Sequence, residues 1–449
     1  MKKILLSVLI VSSFGANAQF WTEKATGFTT PGRTLYSISI VDANVIWAQE
    51  FDSKTLDFKV KGFTRSTDGG NTWTSGTINL NVATPDELGI SSITSVSATT
   101  AWVSVYPIAI NTSAGGIWKT TDSGATWTKQ TTAQFSNLID SYANFVHFWD
   151  ANNGIAGGDP ENGEFEIYTT NDGGANWTRV DGANIPNPNA GGEYGYENLY
   201  TVSGNTIWFG TDMGRIFKSN DKGLTWTAYD SVYSTDFKLD QFTFSDANKG
   251  LLAKYTLDQP TILYSTNDGG ANWIPVISSG TIFKDYIIYI PGTSIVVSAQ
   301  ESVTTNGNTG SSYSLNDGLT WTTIDTGVSH GTLAFLNDTF GFSAGFNTDA
   351  TTGGIFKFTG TPLKNPSFDL KNQFSAYPNP TNGIIHLDSE TSLIKEATVY
   401  DVLGKQVYKS NFSAINSVTI DLKSLQNGTY VLKVTSDSGK TETMKIMKN

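Results

Sequence analysis

The 449-residue chain carries 29 basic and 41 acidic residues, a formal charge of −12, and no cysteine. The acidic balance argues against nucleic acid or an anionic membrane surface as partner, and without cysteine no disulfide braces the fold. A chain of this length has room for two or three domains.

Residues 1–18, MKKILLSVLIVSSFGANA, join Lys2 and Lys3 to an apolar run ending in Ala16-Asn17-Ala18. That is the pattern of a secretory signal, excluded from the fold. No later stretch approaches the ~18 apolar residues of a membrane span.

From residue 20 onward the chain repeats itself. STDGGNTW (66–73) returns as TTDSGATW (120–127), TNDGGANW (170–177), SNDKGLTW (219–226), TNDGGANW (266–273) and SLNDGLTW (314–321). The acid position holds Asp68, Asp122, Asp172, Asp221, Asp268 and, last, Asn316, with successive separations of 54, 50, 49, 47 and 48 residues. Gly70, Gly124, Gly174, Gly223, Gly270 and Gly318 follow two residues later. Trp73, Trp127, Trp177, Trp226, Trp273 and Trp321 close each copy. Six equivalent acids do not serve one reaction. They suit a turn: Asp and Asn accept from backbone N–H groups just ahead, and the glycine permits positive φ. The flanks, such as GGIWKT and WTKQ, are rich in β-branched and aromatic residues, so each copy predicts a hairpin between two outer strands.

Between the turns, FVHFWDANNGIAGG (145–158), FTFSDANKGLLAK (242–254) and LAFLNDTFGFSAG (333–345) each read as strand, turn and strand. A period therefore holds about four strands, one propeller blade. Trp21 sits in the same W-T context with no turn before it, while GGIFKFT (353–359) has no turn after it. The two half-units predict that residues 20–28 complete the last blade and close a ring of seven, removing exposed sheet edges. The expected fold is all-β: a seven-bladed propeller over 19–360, a linker over 361–374, and a small Ig-like sandwich over 375–449.

The repeats resemble the Asp-box (BNR) repeats of sialidases, xyloglucan-degrading glycosidases, sortilin-type receptors and photosystem II assembly-factor-like propellers. The resemblance covers residues 20–360 and implies a fold, not an activity. It also implies that the boxes lie on the outer rim, away from the ligand face. At the other end, YPNPTNG (377–383), VYDVLGKQVY (399–408) and LQNGTYVLKVTSDSGKTETMKIMKN (425–449) resemble the type A C-terminal sorting domain of the type IX secretion system. That resemblance implies the secretion machinery as partner, export across the outer membrane, and an extracellular or cell-surface location, released or anchored. An Ig-like adhesive module is the alternative for this segment.

The tail from 363 has ten lysines against eight acids, leaving 17 basic and 33 acidic residues in 19–362. Arginine occurs only as Arg33, Arg65, Arg179 and Arg215. Sialidases of the resembling group use three arginines and an early Arg-Ile-Pro motif, from which PGRTL (31–35) departs, so a sialidase is not expected. His147, His330 and His386 are far apart and read as ordinary strand residues rather than metal ligands. No nucleophile elbow, P-loop or dinucleotide fingerprint is present.

A site is expected on the face opposite the repeated turns. DPENGEFE (159–166) offers Asp159, Glu161 and Glu164. The insertion DGANIPNPNAGGEYGYEN (181–198) ends in Glu193, Tyr194, Tyr196 and Glu197, and TDMGR (211–215) adds Asp212 and Arg215. Carboxylates with tyrosines suit sugar binding, Ca²⁺ binding or two-carboxylate glycoside hydrolysis. They equally suit solvated acidic loops. The expectation is a monomeric, exported module that binds a glycan or protein, with an extracellular glycoside hydrolase as the alternative. No metal or other cofactor is assigned.

Overall fold

The computed structural model describes residues 20–52, 55, 57–108, 115–135, 141–233, 241–256, 259–301, 309–360, 374–389, 392–401, 404–437 and 441–449. The expected signal segment, and residues 361–373 of the expected linker, lie outside these ranges. The chain divides into two compact units, with the division between Lys364 and Asn365.

Among the described residues, the first unit holds seven four-stranded antiparallel sheets. In chain order they span residues 34–77 (sheet I), 88–129 (II), 143–179 (III), 195–230 (IV), 241–276 (V), 286–326 (VI) and 333–358 (VII). Sheet VII has three strands from its own segment. Its fourth is Trp21–Ala25, which pairs antiparallel with Thr352–Phe358, Trp21 opposite Phe358 and Ala25 opposite Gly354. The first strand of each sheet touches the first strand of the next, and those of sheets VII and I touch as well, so the contacts form a closed cycle.

Both faces of each sheet are covered by neighbouring sheets, and the second strands read accordingly. Ile46, Trp47 and Ala48 run consecutively apolar and are fully buried, the pattern of a strand packed on both faces. The first strands have an open edge, and hydroxyls from the neighbouring sheet satisfy it. Ser92 Oγ accepts from Val146 N at 3.0 Å, Ser39 Oγ from Ser95 N at 2.9 Å, and Thr243 Oγ1 from Tyr289 N at 2.9 Å. This matters because a buried backbone N–H without a partner costs about as much as a lost hydrogen bond.

The repeated stretches are turns between third and fourth strands, with the same bonds in each. Asp68 Oδ1 accepts from Thr72 N at 2.9 Å and Oδ2 from Thr72 Oγ1 at 2.7 Å. Gly70 N donates to Ser66 Oγ at 2.8 Å. Asp172 and Asn176, and Asp268 and Asn272, reproduce the pattern with an amide in place of the threonine hydroxyl. Asn316 keeps it with a neutral acceptor, taking Thr320 N at 2.9 Å.

The tryptophans do more than hold their own hairpins. Trp73 Nε1 donates to Gly70 O at 3.2 Å, and its ring meets Phe342 of sheet VII edge-on at 5.7 Å. Trp127 meets Phe63 of sheet I at 6.0 Å, and Trp21 Nε1 donates to Ser311 Oγ of sheet VI at 2.9 Å. Each of these tryptophans fastens its sheet to the preceding one.

The second unit packs a three-stranded and a four-stranded antiparallel sheet around one core that includes Phe374, Ile385, Leu387 and Ile420 from the first and Val399, Leu432, Val434 and Ile446 from the second. Its first strand, Phe374–Tyr377, takes in the last residue of the expected linker.

Two glycines of equal φ separate backbone freedom from inter-sheet packing. Gly70 has φ +79° and a Cβ there would lie 2.4 Å from the Phe342 ring; Gly327 has φ +80° with nothing within 4 Å. Gly327→Ala is expected to cost only the left-handed backbone term, about 1–2 kcal/mol. Gly70→Ala is expected to add an overpacking cost of about 1–3 kcal/mol, read as a larger fall in the urea midpoint.

The turn acids also predict an acid limb of stability. The Asn176 backbone N–H and amide and the Thr170 hydroxyl hold Asp172 down to about 2. Its stabilisation is present above the unfolded carboxyl pKa of about 3.9 and is lost as pH falls through 2. Asp172→Asn should flatten the urea midpoint between pH 4 and 2, and an unchanged slope would contradict it.

Candidate functional site

The end of the first unit opposite the repeated turns carries the loops between sheets and those joining second to third strands. In sheet III the second strand, Gly154–Glu161, and the third, Glu164–Thr170, meet at Asn162 and Gly163, whose φ values of 55° and 83° make a two-residue hairpin turn. Asp159, Glu161 and Glu164 therefore stand on paired strands rather than in an open loop. Glu161 and Glu164 are register partners. Glu161 pairs with Arg179 at 3.4 Å, and Glu164 is exposed above Gly182.

Asp159 faces inward from the same strand. Its Oδ1 accepts from Asn144 Nδ2 at 2.6 Å and from Gly195 N at 2.9 Å. Burial pushes its carboxyl up to about 7 against those two bonds, and the nearby Glu197 and Asp212 charges add to the rise.

The insertion 181–198 is tied down from within. Asp181 caps a short turn, Gly182–Asn184, by accepting from Ala183 N at 2.9 Å. Glu193 is buried: Oε2 accepts from Asn189 N and from Arg215 Nη1, both at 2.7 Å, and Oε1 from Thr211 Oγ1 at 2.6 Å. Arg215 also reaches Asn187 O at 3.1 Å. Glu193 and Arg215 thus hold the loop in place. Asp212 Oδ1 accepts from Tyr194 N at 2.9 Å, and Asp212 N donates back to Tyr194 O at 3.0 Å. Tyr194 itself projects, 43% exposed.

The hairpin and this insertion bound an open groove of about 630 Å³ that includes Asp159, Pro160, Asn189 and Tyr194. Beside it, the first strands of all seven sheets surround a channel of about 750 Å³. Tyr196 and Glu197 line the channel rather than the groove. Tyr194 and Tyr196 meet edge-on at 5.7 Å, so aromatic surface runs from one into the other.

Several groups without a sequence signal belong to this end. Tyr36 and Tyr286 line the channel. The Tyr36 hydroxyl donates to Glu197 O at 3.4 Å, and Thr332 Oγ1 donates to Tyr36 O at 3.1 Å. Glu166 is fully buried, takes hydrogen bonds from the Ser141 and Tyr168 hydroxyls, and is pushed by burial up to about 7.

Each arginine has its own partner. Arg33 pairs with Glu50 and Asp52, Arg65 donates to Ala98 O at 2.8 Å, Arg179 meets Glu161 and Arg215 meets Glu193. Of the histidines, His147 and His386 lie on strands. His330 lies in a loop, buried between Asp325 at 2.8 Å and Ser343 Oγ at 3.0 Å. Among the described residues no group of three or more His, Asp or Glu side chains could hold a metal ion.

Residues 375–449 match the secretion system C-terminal sorting domain. The chain therefore carries a type IX secretion signal at this end, engages that machinery, and is directed to the cell surface or the extracellular space. No curated protein matches the chain in sequence. Among solved structures, YCF48 bound to D1 peptide is 16% identical, with 76% of this chain and 97% of that chain covered and a TM-score of 0.51. YCF48 from Cyanidioschyzon merolae is 17% identical, covering 76% and 98%, also at 0.51. PorZ, a surface component of the type IX system of Porphyromonas gingivalis, is 12% identical over 92% of this chain and 70% of that one, at a TM-score of 0.33. The first two establish a propeller-like fold for the first unit.

Arg215→Ala leaves the Glu193 carboxylate buried without its counter-ion and is expected to cost about 3–5 kcal/mol of stability, measured by urea unfolding. The raised Asp159 carboxyl works in the opposite pH direction from the turn acids. Its contribution is fully present below the unfolded pKa of about 3.9 and is lost as pH rises through 7. Asp159→Asn should remove that part of the decline between pH 4 and 7.

Proposed function

We propose that residues 19–360 form a seven-bladed Asp-box propeller followed by an Ig-like sorting domain at 375–449. In this reading the exported protein binds an extracellular glycan or protein through the loop face. The observation that carries it is the groove of about 630 Å³ with Tyr194 projecting at its rim. An exposed aromatic beside hydrogen-bonding groups is the chemistry that recognises sugar rings and protein side chains. The similar YCF48 fold has been seen with a peptide bound, which supports including a protein ligand.

Binding is preferred to hydrolysis because most of the acids are already engaged. Glu193 is held by Arg215, Glu161 by Arg179, and Asp212 by the Tyr194 backbone. Hydrolysis is the second reading on one observation: Asp159, raised to about 7, shares its strand with Glu161. A glycosidase needs a pair of carboxyls at one site.

The test applies the full chain to a glycan array and to a panel of extracellular proteins, with reducing-sugar release measured on every glycan bound. Tyr194→Ala is expected to weaken the bound ligand about tenfold, ~1.4 kcal/mol, with unchanged thermal stability. Sugar release abolished by Asp159→Asn would establish hydrolysis. Ligands bound equally well by wild type and Tyr194→Ala would move the site elsewhere.

A further inference from the structure

We propose that the mouth of the central channel receives a cationic side chain, the lysine or arginine of a protein ligand, with Glu197 as its counter-ion and Tyr36, Tyr196 and Tyr286 as its aromatic surround. This rests on the loop-face binding reading and narrows its ligand to a basic peptide segment.

The three tyrosines come from sheets I, IV and VI, and all line the channel of about 750 Å³. They gather at its loop-face end, where the first strands begin. Tyr36 contacts the backbone of Glu197 through its hydroxyl, and its carbonyl takes hydrogen bonds from Asn198 Nδ2 at 3.3 Å and Thr332 Oγ1 at 3.1 Å. Tyr286 hydrogen-bonds Thr332 in turn. Aromatic faces around a cation are attractive through the ring quadrupole.

The Glu197 carboxylate supplies the charge. Among the described residues no donor or cation pairs with it, and the channel lining contains neither lysine nor arginine. Its charge instead bears on the Tyr36 and Tyr106 phenols and the Asp159 carboxyl, whose deprotonation it opposes. Burial first, and the Glu197 charge second, raise the Tyr36 phenol well above its ordinary value, so the phenol stays neutral and cannot compensate the acid. A neutral sugar could donate a hydroxyl to Glu197 but would leave its charge uncompensated, and an anion would be repelled. A cation would relieve it. The excess of acids over bases in 19–362 steers the same class of ligand toward this unit.

The experiment is titration calorimetry of the full chain with a tetralysine peptide and with the same peptide Nε-acetylated on every lysine. Tetralysine is expected to bind with an affinity that falls as salt rises. The acetylated peptide and the Glu197→Gln variant should each be at least tenfold weaker. Among the described residues Glu197→Gln removes no side-chain hydrogen bond or ion pair, and it keeps the shape, so its melting temperature should match wild type. Asp86→Asn, an exposed acid outside the channel, should stay within twofold. Equal binding by Glu197→Gln, or by the acetylated peptide, overturns the proposal. Ligands found by array or panel, and weakened by Tyr194→Ala, would then still stand as loop-face binding. Failure of that reading shows separately, as no ligand at all or as ligands that Tyr194→Ala leaves unweakened.

Discussion

The structure depends on what happens at the inner edge of each sheet. A first strand has a partner on one side only, and the other side brings backbone N–H and C=O groups close to the neighbouring sheet, away from bulk water. Serine and threonine hydroxyls such as Ser39, Ser92 and Thr243 bridge those gaps. A short side chain that both donates and accepts can do this without pushing the strands apart. The closed cycle of sheets therefore rests on small polar residues near the channel and on large apolar ones, such as Trp47, Trp102 and Trp208, farther out.

That arrangement separates the two ends of the unit chemically. At one end, the same pattern of acid or amide, glycine and hydroxyl recurs in each turn, and the carboxylates are taken up by bonds within the turn. At the other, the described connections differ in length and build. The sheet III hairpin is tight, and the 181–198 insertion is anchored by a buried ion pair. Asp159 and Glu166 there are pushed up by burial, whereas Asp172 is held down by hydrogen bonds. The two ends therefore shift their carboxyls in opposite directions, one by burial and the other by hydrogen bonding.

Much of the architecture was legible from the repeated turn, because a local motif with a fixed period reports directly on the number of hairpins. Trp21 was informative for the same reason, as a strand lacking its turn. The site was only partly legible. The stretches 159–166 and 181–198 stood out through composition, and the structure does gather them around one groove. Their composition did not show that Glu193 and Arg215 face each other in the interior, nor that Tyr196 and Glu197 turn into the channel while Tyr194 does not. Simple alternation does not decide that, because the strand's register with its neighbour is irregular between Gly195 and Tyr200. Tyr36 and Tyr286 carried no signal, since each is one aromatic in an ordinary strand. They acquire meaning only when distant sheets bring them together.

The pairing of Trp21–Ala25 with Thr352–Phe358 has a mechanical side. The sorting tail continues the chain beyond Phe358, so any pull on the tail would reach the first unit through that strand. It is not a peelable edge: hydrogen bonds hold it on both flanks, to the chain's earliest described strand and to Phe340–Asp349. Tension along it is shared at once between the two ends of the unit's sequence, as in a hoop whose clasp lies under the load.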